Sequence, residues 1–330
     1  MYSPAGERRA RPAVPALDGA AIDVANAISA AGASQELADF VRLTSVQAYL
    51  EAGLQLERLA MIDREPEVVE MSKLRDGTWS SPLKRPGKIL AVGLNIPTLV
   101  GTGVPLLREL PTRAPFWFYK PPCSVIGPGE PIVHPGEWHT SKLIPEPELA
   151  LVIGRRCGPG IASPKAEEAA SYVAGFTVCN DVSALDIEFE RGGDPFAYNL
   201  SWGKSYPTFA PLGPWITLTG AVDPGALEVS MDVNGATVLT GNTSSYLWSA
   251  WELVEYFSAV TILEPGDVIS CGNFSPTHVV WPGDEVAIHI EGVGTLANPV
   301  VSAVEETRFR IPEAAALEAA RYCEAKGARR

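Results

Sequence analysis

Short apolar runs bounded by glycine or proline recur along the chain from residue 88 onward, and they limit the fold more than any other feature of the sequence. Runs of this length are typical of β-strands. The chain contains 30 Gly and 29 Pro, and only 20% of its residues are charged, which favours many turns between short elements over long helices or disorder. We therefore predict a predominantly β fold, with strands at 89–92, 116–119, 149–153 and 172–179.

Three turn signals predict further strands. Asn234-Gly235 separates two apolar segments and supplies the two positive φ angles that a type I′ hairpin turn requires. Pro265-Gly266 and Pro282-Gly283 suit type II turns, and each leads into another apolar segment. A helix is expected over about 248–260, before these two turns.

The length of the chain predicts more than one structural unit. Its 330 residues exceed the size at which a single core usually stops growing. The first part has a mixed, partly helical pattern, with Ile22 expected on a helical face, and the segment 78–88 contains two prolines and no periodicity, as a linker does. We predict a small helical or mixed N-terminal region, a main domain and a C-terminal helix, at residues 1–85, 86–310 and 311–330.

The charge and the apolar pattern exclude several classes of partner. There are 26 Lys and Arg against 39 Asp and Glu, giving a net charge of −13, so we expect no nucleic-acid partner. No apolar run approaches the length of about 20 residues that crosses a bilayer, so no membrane partner is expected. Prolines and acids after the first arginines argue against a signal peptide, and five cysteines without a C-x-x-C pair favour reduced thiols. These features predict a cytoplasmic protein.

Three acids are candidate metal ligands. Glu146 and Glu148 stand at the entry of the apolar run 149–153, where strand alternation sends both carboxylates to one face, about 6–7 Å apart. Asp181 ends another apolar strand, from which it could reach the same cleft. A dication between such acids is one way to offset their repulsion, and an all-oxygen site favours Mg²⁺, Mn²⁺ or Ca²⁺ over zinc.

The Glu-x-Glu spacing is weak evidence by itself, because Glu188 and Glu190 have it too. On spacing alone, an exposed acidic edge is the simpler interpretation, and only the position of Glu146 and Glu148 beside a buried strand separates them. His139, seven residues before Glu146, is a further candidate ligand, although a loop histidine beside prolines is more often structural. Gly203-Lys204-Ser205 ends like a phosphate loop but lacks the required earlier glycine.

Several of these segments together resemble the fumarylacetoacetate hydrolase family over roughly residues 88–303. The matching stretches are Ile89-Leu90-Ala91-Val92-Gly93-Leu94-Asn95, Phe118-Tyr119-Lys120-Pro121-Pro122, Gly127-Pro128-Gly129, Glu146-Pro147-Glu148-Leu149-Ala150-Leu151-Val152-Ile153-Gly154, Asn180-Asp181-Val182-Ser183, Lys204-Ser205, Pro211-Leu212-Gly213-Pro214-Trp215, Val233-Asn234-Gly235 and Leu263-Glu264-Pro265-Gly266-Asp267-Val268-Ile269.

The resemblance implies an α+β, predominantly β catalytic domain, a mixed β-sandwich or roll, that forms a homodimer. It implies a divalent cation, Mg²⁺ (or Mn²⁺ or Ca²⁺), on Glu146, Glu148 and Asp181, and a small 2-oxo acid or β-dicarbonyl substrate. Lys204 matches the family lysine that helps to hold developing negative charge. Residues expected to contact the substrate are Lys120, Glu188 and Asn273.

The sequence departs from the family pattern around the substrate. Many relatives carry a histidine and a glutamate on a mobile lid that activate water, but no histidine occurs here before His134, although Glu109 could supply a carboxylate base. Leu185 stands where the family commonly has an arginine donor, and loss of one such donor typically costs about 3–4 kcal/mol in transition-state stabilisation. Gly272-Asn273 replaces the usual Gly-Thr.

Three functions follow from this comparison. The first is hydrolysis of a carbon–carbon bond in an acylpyruvate-like or β-diketo acid through an enolate, because the acids and Lys204 are retained. The second is dehydration, decarboxylation or isomerisation of a 2-oxo acid, favoured by the missing histidine. The third is a metal-retaining binding protein without catalysis, suggested by Leu185.

Overall fold

The structure is a computed structural model that describes residues 77–83, 85–97, 114–189, 200–274 and 278–304, together with four short strands nearer the N terminus. Among these residues, no helix is long and apolar enough to cross a bilayer. The helix predicted at 311–330 and the candidate base Glu109 lie outside the described residues.

The first strands are short and belong to two small sheets. They are β1 (Tyr2–Pro4), β2 (Ala13–Pro15), β3 (Ala21–Asp23), β4 (Lys73–Leu74) and β5 (Gly77–Trp79). β1 pairs with β5, and β3 pairs with both β2 and β4. The predicted helix is therefore wrong at Ile22, which lies in β3, because pairing with a strand 50 residues later outweighs a local helical period. The predicted linker 78–88 likewise begins inside β5.

A seven-stranded sheet carries the centre of the fold. Its strands along the chain are β6 (Ile89–Gly93), β7 (Phe116–Lys120), β8 (Val125–Ile126), β11 (Pro147–Ile153), β12 (Val173–Asn180), β14 (Ala210–Leu218) and β17 (Val268–Ser270), and their spatial order is β7-β6-β17-β11-β12-β14-β8. β11 and β12 lie near the middle and are buried at every residue. Each reads as a nearly continuous apolar run for this reason.

A five-stranded sheet, ordered β16-β15-β18-β19-β9, forms a second layer. Its strands are β9 (Ile132–His134), β15 (Glu228–Val233), β16 (Ala236–Asn242), β18 (Glu285–Ile290) and β19 (Gly294–Ser302). In β15 and β18, buried residues alternate with more exposed ones, as in a sheet with one face on the core. A separate pair is formed by β10 (Leu143–Ile144) and β13 (Ser183–Ala184).

The predicted turns are present. Asn234 and Gly235 have φ of 54° and 77° between β15 and β16, and Gly266 and Gly283 also have positive φ. Asp267 N–H donates to Glu264 O at 3.0 Å across the first of the two Pro-Gly turns. The predicted turn chemistry at these positions is therefore confirmed.

Three α-helices lie among the described residues: α1 (Leu185–Phe189), α2 (Leu200–Gly203) and α3 (Ala250–Val260). Short 3-10 helices occupy Pro122–Ser124, Ala166–Tyr172 and Thr243–Ser245. α3 is the predicted helix, and a capping box sets its start: Ser249 Oγ accepts from Glu252 N–H, and the Glu252 carboxylate accepts from Ser249 N–H.

The two large sheets share one core. A contiguous buried cluster joins Leu151 and Phe176 of the seven-stranded sheet with Met231 and Ile288 of the five-stranded sheet, and Phe257 of α3 packs into it. The predicted predominantly β architecture of sandwich or roll type is confirmed.

Candidate functional site

The pairing of β11 with β12 brings the three candidate acids to one end of the central sheet. The strands are antiparallel, with Pro147 opposite Asn180 and Glu148 opposite Cys179. Glu146 immediately precedes β11 and Asp181 immediately follows β12. Asp181 N–H donates to Glu146 O at 2.9 Å, and Glu146 N–H donates to Asn180 Oδ1 at 2.9 Å. Backbone pairing therefore fixes the positions of the Cα atoms that carry these side chains.

The three carboxyl groups converge. Glu146, Glu148 and Asp181 each offer one oxygen, and these oxygens all lie within 4.8 Å of one another. Glu148 and Asp181 are each only 1% exposed, whereas the Glu146 side chain is 13% exposed. Glu148 Oε2 also accepts from Gly272 N–H at 3.0 Å. One acid is thus partly exposed, while two lie in the protein interior.

Two buried lysines balance part of this charge. Lys120 Nζ lies 2.5 Å from Asp181 Oδ1 and donates to Val182 O at 3.0 Å. Lys204 Nζ lies 2.5 Å from Glu146 Oε2 and 2.9 Å from Asp181 Oδ2, and it stands 5.0 Å from the centre of the Phe118 ring. Lys204 follows α2 directly, and its N–H donates to Leu200 O.

The surroundings shift the pKa values of these groups in opposite directions. Burial raises the pKa of Glu148 well above its ordinary value, and the charges of Asp181 and Glu146 raise it further. Burial would also raise the pKa of Asp181, but Lys120 and Lys204 together outweigh it and lower that pKa. Lys204 has a pKa well above its ordinary value because its acidic neighbours, led by Asp181, outweigh burial. Lys204 therefore stays an ammonium.

Glu188 is a fourth acid beside this group. It belongs to α1, is 2% exposed, and its Oε1 lies 4.0 Å from Lys204 Nζ with no hydrogen-bond partner. Burial raises the pKa of Glu188 to about 8. The structure thus places this predicted substrate residue near Lys204. Glu190, the other member of its Glu-x-Glu pair, lies outside the described residues.

Asn273 is the next residue after a backbone contact to Glu148. It follows Gly272, whose N–H binds the Glu148 carboxylate, and it is 6% exposed with an Oδ1 that has no hydrogen-bond partner. Leu185, at the position of the missing arginine, opens α1, and its N–H donates to Lys142 O. The substrate-contact roles of Lys120, Glu188 and Asn273 stay predictions.

The residues present fit a divalent cation. Four carboxyl groups face two ammonium groups, so the full set of charges carries an excess of two negatives, which one dication would cancel. The three closest carboxyl groups offer only oxygen donors, which suits Mg²⁺, Mn²⁺ or Ca²⁺. The raised pKa of Glu148 has the same origin, since that carboxyl is buried among like charges without enough positive charge nearby.

Histidine takes no part in this acid group within the described residues. His139 Nδ1 lies 2.9 Å from Tyr206 Oη, and His139 is not a member of the acid group. His134 stacks on Trp281 at 5.7 Å and lines a separate cavity of about 610 Å³. His289 is exposed beside Thr295. The alternative that His139 is a metal ligand gains no support from this geometry.

Sequence reasoning missed Asp186. Its carboxylate accepts from Thr140 Oγ1 and, at 3.0 Å, from Ser141 N–H, and so ties α1 to the loop before β10. Burial raises the pKa of Asp186, but these hydrogen bonds outweigh it and lower the pKa overall. Its position in the segment after Asp181 was the available signal, since an acid placed there can hold the helix that carries Glu188.

Comparisons with known proteins agree with this geometry. Residues 88–301 match the family model described as fumarylacetoacetate (FAA) hydrolase C-terminal. The human mitochondrial oxaloacetate tautomerase is 35% identical over 260 residues, covering 76% of this chain and 77% of that protein.

Two solved structures are also similar. The 5-carboxymethyl-2-hydroxymuconate delta-isomerase from Mycobacterium smegmatis is 36% identical, with a TM-score of 0.58, over 69% of this chain and 81% of that chain. Maleylpyruvate hydrolase from Sphingobium sp. SYK-6, solved with manganese(II) and pyruvate, is 26% identical, with a TM-score of 0.66, over 89% of this chain and 96% of that chain. The similar proteins thus include a tautomerase, an isomerase and a hydrolase.

Proposed function

Because this chain belongs to the fumarylacetoacetate hydrolase family, we propose that it is a divalent-metal-dependent enzyme that interconverts the tautomers of a small 2-oxo acid through an enolate. The observation that carries the proposal is the group of three carboxyl oxygens within 4.8 Å of one another, two of them on buried residues, beside the ammonium of Lys204. A dication held there would polarise the carbonyl oxygen of the substrate.

The residues of the chain supply the rest of the chemistry. Glu146, Glu148 and Asp181 would hold the cation, and Lys120 keeps Asp181 ionised through their ion pair. The Lys204 ammonium would stabilise the negative charge that develops on the substrate oxygen, because a fixed charge in a buried site acts strongly on a nearby oxyanion. A 2-oxo acid suits this charge pattern, since its carboxylate and carbonyl oxygens are adjacent.

Isomerisation is favoured over hydrolysis by the position of the histidines. All four histidines are described, and none belongs to the acid group. A tautomer exchange moves only a proton and requires no activated water. The names of two relatives at 35% and 36% identity, a tautomerase and an isomerase, support the same choice.

Hydrolysis of a carbon–carbon bond is the second candidate. It is supported by the maleylpyruvate hydrolase, whose similarity extends over 89% of this chain. Glu109, outside the described residues, would then supply the base. Product mass separates the two candidates, since hydrolysis adds water and divides the substrate while isomerisation leaves its mass unchanged.

The deciding experiment is a panel of 2-oxo acids and β-diketo acids given to the Mg²⁺-loaded and Mn²⁺-loaded protein, with enol absorbance and product mass recorded. We expect loss of enol absorbance without change of mass, and loss of this activity in Glu148→Ala. Scission with gain of water would replace the proposal by the second candidate. No turnover of any panel member, with metal bound, would leave the third hypothesis, a metal-retaining binding protein.

The proposal also includes a homodimer and a cytoplasmic location. The homodimer is supported by the family resemblance, and the location by five cysteines without a C-x-x-C pair, which favour reduced thiols. Light scattering of the purified protein tests the first, and fractionation of cells tests the second.

A further inference from the structure

Glu188 is a buried acid beside the candidate metal ligands, and the proposed function assigns it no chemical role. Its carboxyl group is 2% exposed and its Oε1 has no hydrogen-bond partner. Lys204 Nζ lies 4.0 Å away on one side of it, and the same ammonium contacts Glu146 and Asp181. A buried carboxyl oxygen without a hydrogen-bond donor is rare and needs an explanation. Here the Lys204 ammonium lies between the Glu188 carboxyl group and two of the candidate metal ligands.

The fold makes room for Glu188 at a specific glycine. A Cβ on Gly203 would lie 2.4 Å from Glu188 Cγ and 2.9 Å from Glu188 Oε1. Contacts this short do not occur, so any larger residue at 203 would displace the carboxyl group. The helix that presents Lys204 therefore also leaves the space in which Glu188 sits.

The helix that carries Glu188 is itself held in place. Asp186, two residues earlier on α1, accepts hydrogen bonds from Thr140 Oγ1, Ser141 N–H and Ser141 Oγ. Leu185 N–H donates to Lys142 O at 3.0 Å. The position of the Glu188 carboxyl is thus fixed from both sides, by Gly203 and by the start of α1.

Charge explains which form of Glu188 is present near neutral pH. Burial raises its pKa to about 8; Lys204 and Lys120 act to lower that pKa, and Glu146 and Asp181 act to raise it. Without a cation, the three candidate ligands already face both ammonium groups, so an ionised Glu188 would add uncompensated negative charge to a buried site. A bound dication would compensate that charge, so Glu188 can hold a proton in the metal-free site and release it when the cation is present.

We propose that Glu188 is a catalytic residue, the acid and base that moves the proton on the carbon atom next to the carbonyl group of the substrate. This inference rests on the proposed function. In one direction the C–H bond breaks and its electron pair becomes the carbon–carbon double bond of the enolate. The negative charge then resides on the carbonyl oxygen, near Lys204, and the proton is bound by the Glu188 carboxylate. The reverse transfer returns the proton to carbon. Formation of the enol is completed when the enolate oxygen takes a proton from water and Glu188 gives its own proton to water, so no further reactant is consumed.

Lys204 is the other group that could carry this proton. Its acidic neighbours hold its pKa well above the ordinary value, so its ammonium does not release a proton readily near neutral pH. Its two close contacts are with Glu146 and Asp181 and leave it suited to stabilising charge. The two roles are therefore divided between Lys204 and Glu188.

The test is exchange of the methyl protons of pyruvate in D₂O, followed by ¹H NMR with the full-length, Mg²⁺-loaded protein. We expect Glu188→Gln, which keeps the shape but cannot ionise, to slow exchange by about 10²-fold or more. Glu188→Asp, which keeps the carboxyl group but is shorter, should retain more exchange than Glu188→Gln. Glu167→Gln, the same change on an exposed glutamate of the 3-10 helix Ala166–Tyr172, should match the unchanged protein.

A merely structural role predicts the opposite order, because the glutamine fills the same space and the aspartate does not. Exchange by Glu188→Gln within about threefold of the unchanged protein, with Mg²⁺ binding intact by calorimetry, overturns the inference alone. An exchange rate of the unchanged protein that is constant from about pH 5 to 9 overturns it even if neither variant folds. Absence of exchange and of turnover for every 2-oxo acid tried would instead overturn the proposed function.

Discussion

At the scale of single residues, a lysine and the proposed cation would bind the same carboxylate oxygens. Lys204 contacts Glu146 and Asp181 at distances of 2.5 and 2.9 Å, and these two acids are also candidate ligands of a cation. The ammonium and the cation therefore share a set of carboxylates, so removal of the lysine should affect catalysis and cation binding in different directions.

Substitution of Lys204 by methionine tests this sharing. We expect kcat to fall by about 10²–10³-fold, because a charge that stabilises the oxyanion is lost, while the affinity for Mg²⁺ stays the same or rises. Steady-state kinetics and calorimetry measure the two quantities. Lys165→Met, at a 72% exposed lysine paired with Glu255, is the control. Loss of Mg²⁺ binding in Lys204→Met would contradict the interpretation.

The raised pKa of Glu188 has a consequence for stability. Burial raises this pKa from 4.5 to about 8. Between these two pH values, Glu188 is protonated in the folded protein and ionised in the unfolded chain. The stabilising effect is complete below about pH 4.5 and is lost as the pH rises through about 8. The free energy of unfolding of the metal-free protein should therefore fall over this range.

Glu188→Gln should reduce that fall, since glutamine does not titrate. Urea unfolding of both metal-free proteins at about pH 5 and pH 8.5 measures the difference. Glu167→Gln should keep the full pH dependence. Equal slopes for Glu188→Gln and the unchanged protein would show that Glu188 is not the titrating group.

At the scale of elements, the turn before β17 fastens β17 to its neighbour β6 in the central sheet. Asp267 is fully buried, accepts from Glu264 N–H at 2.7 Å and from Lys88 N–H at 3.0 Å, and also pairs with Lys88 Nζ. These bonds join the turn to the residue before β6, which pairs with β17 in parallel. Two strands that are far apart in sequence are thus aligned by one side chain.

Asp267→Ala should lower the free energy of unfolding by about 3 kcal/mol, because it leaves buried donors and a lysine without their partner. Glu264→Ala removes a nearby ion pair with Arg156 in which the two side chains are 47% and 55% exposed, and should cost less than about 1 kcal/mol. Urea unfolding measures both. Equal losses would show that the buried pair has no special role in the turn.

At the scale of the whole molecule, folding creates the acid group and so couples stability to the cation. The three acids come from two strands whose ends are adjacent only when β11 and β12 pair. A ligand that binds only the folded state stabilises it by about 2.7 kcal/mol at a concentration 100 times its Kd.

Addition of Mg²⁺ or Mn²⁺ to the metal-free protein should therefore raise Tm, and EDTA should reverse the change. Differential scanning calorimetry measures the shift. Glu148→Ala should show a much smaller increase, because one ligand is missing. An increase of the same size in that variant would mean that the cation acts elsewhere.

The parts of the fold that sequence predicted are those set by neighbouring residues. The turn at Asn234-Gly235 and the start of α3 at Ser249 depend on backbone angles and caps that a few residues encode. The helix predicted at Ile22 was wrong because its partner strand, Lys73–Leu74, is distant in sequence. Local periodicity carries no information about such a partner.

The same distinction applies to the candidate site. The identity of the three acids followed from their places at strand ends, and the structure brings them together. The contact of Lys120 with Asp181 spans 61 residues, and the space that Gly203 leaves for Glu188 depends on how two helices approach. Both are properties of packing, which spacing along a chain does not reveal.

The ends of β11 and β12 carry the candidate ligands, whereas Glu188 and Asn273 lie outside any strand, on a short helix and on a loop. The candidate ligands are held by the paired strands at the centre of the sheet. Glu188 and Asn273 can be substituted without loss of hydrogen bonds between strands. Substitutions in this helix and this loop could therefore change the substrate during evolution, while the candidate metal ligands at the strand ends stay the same.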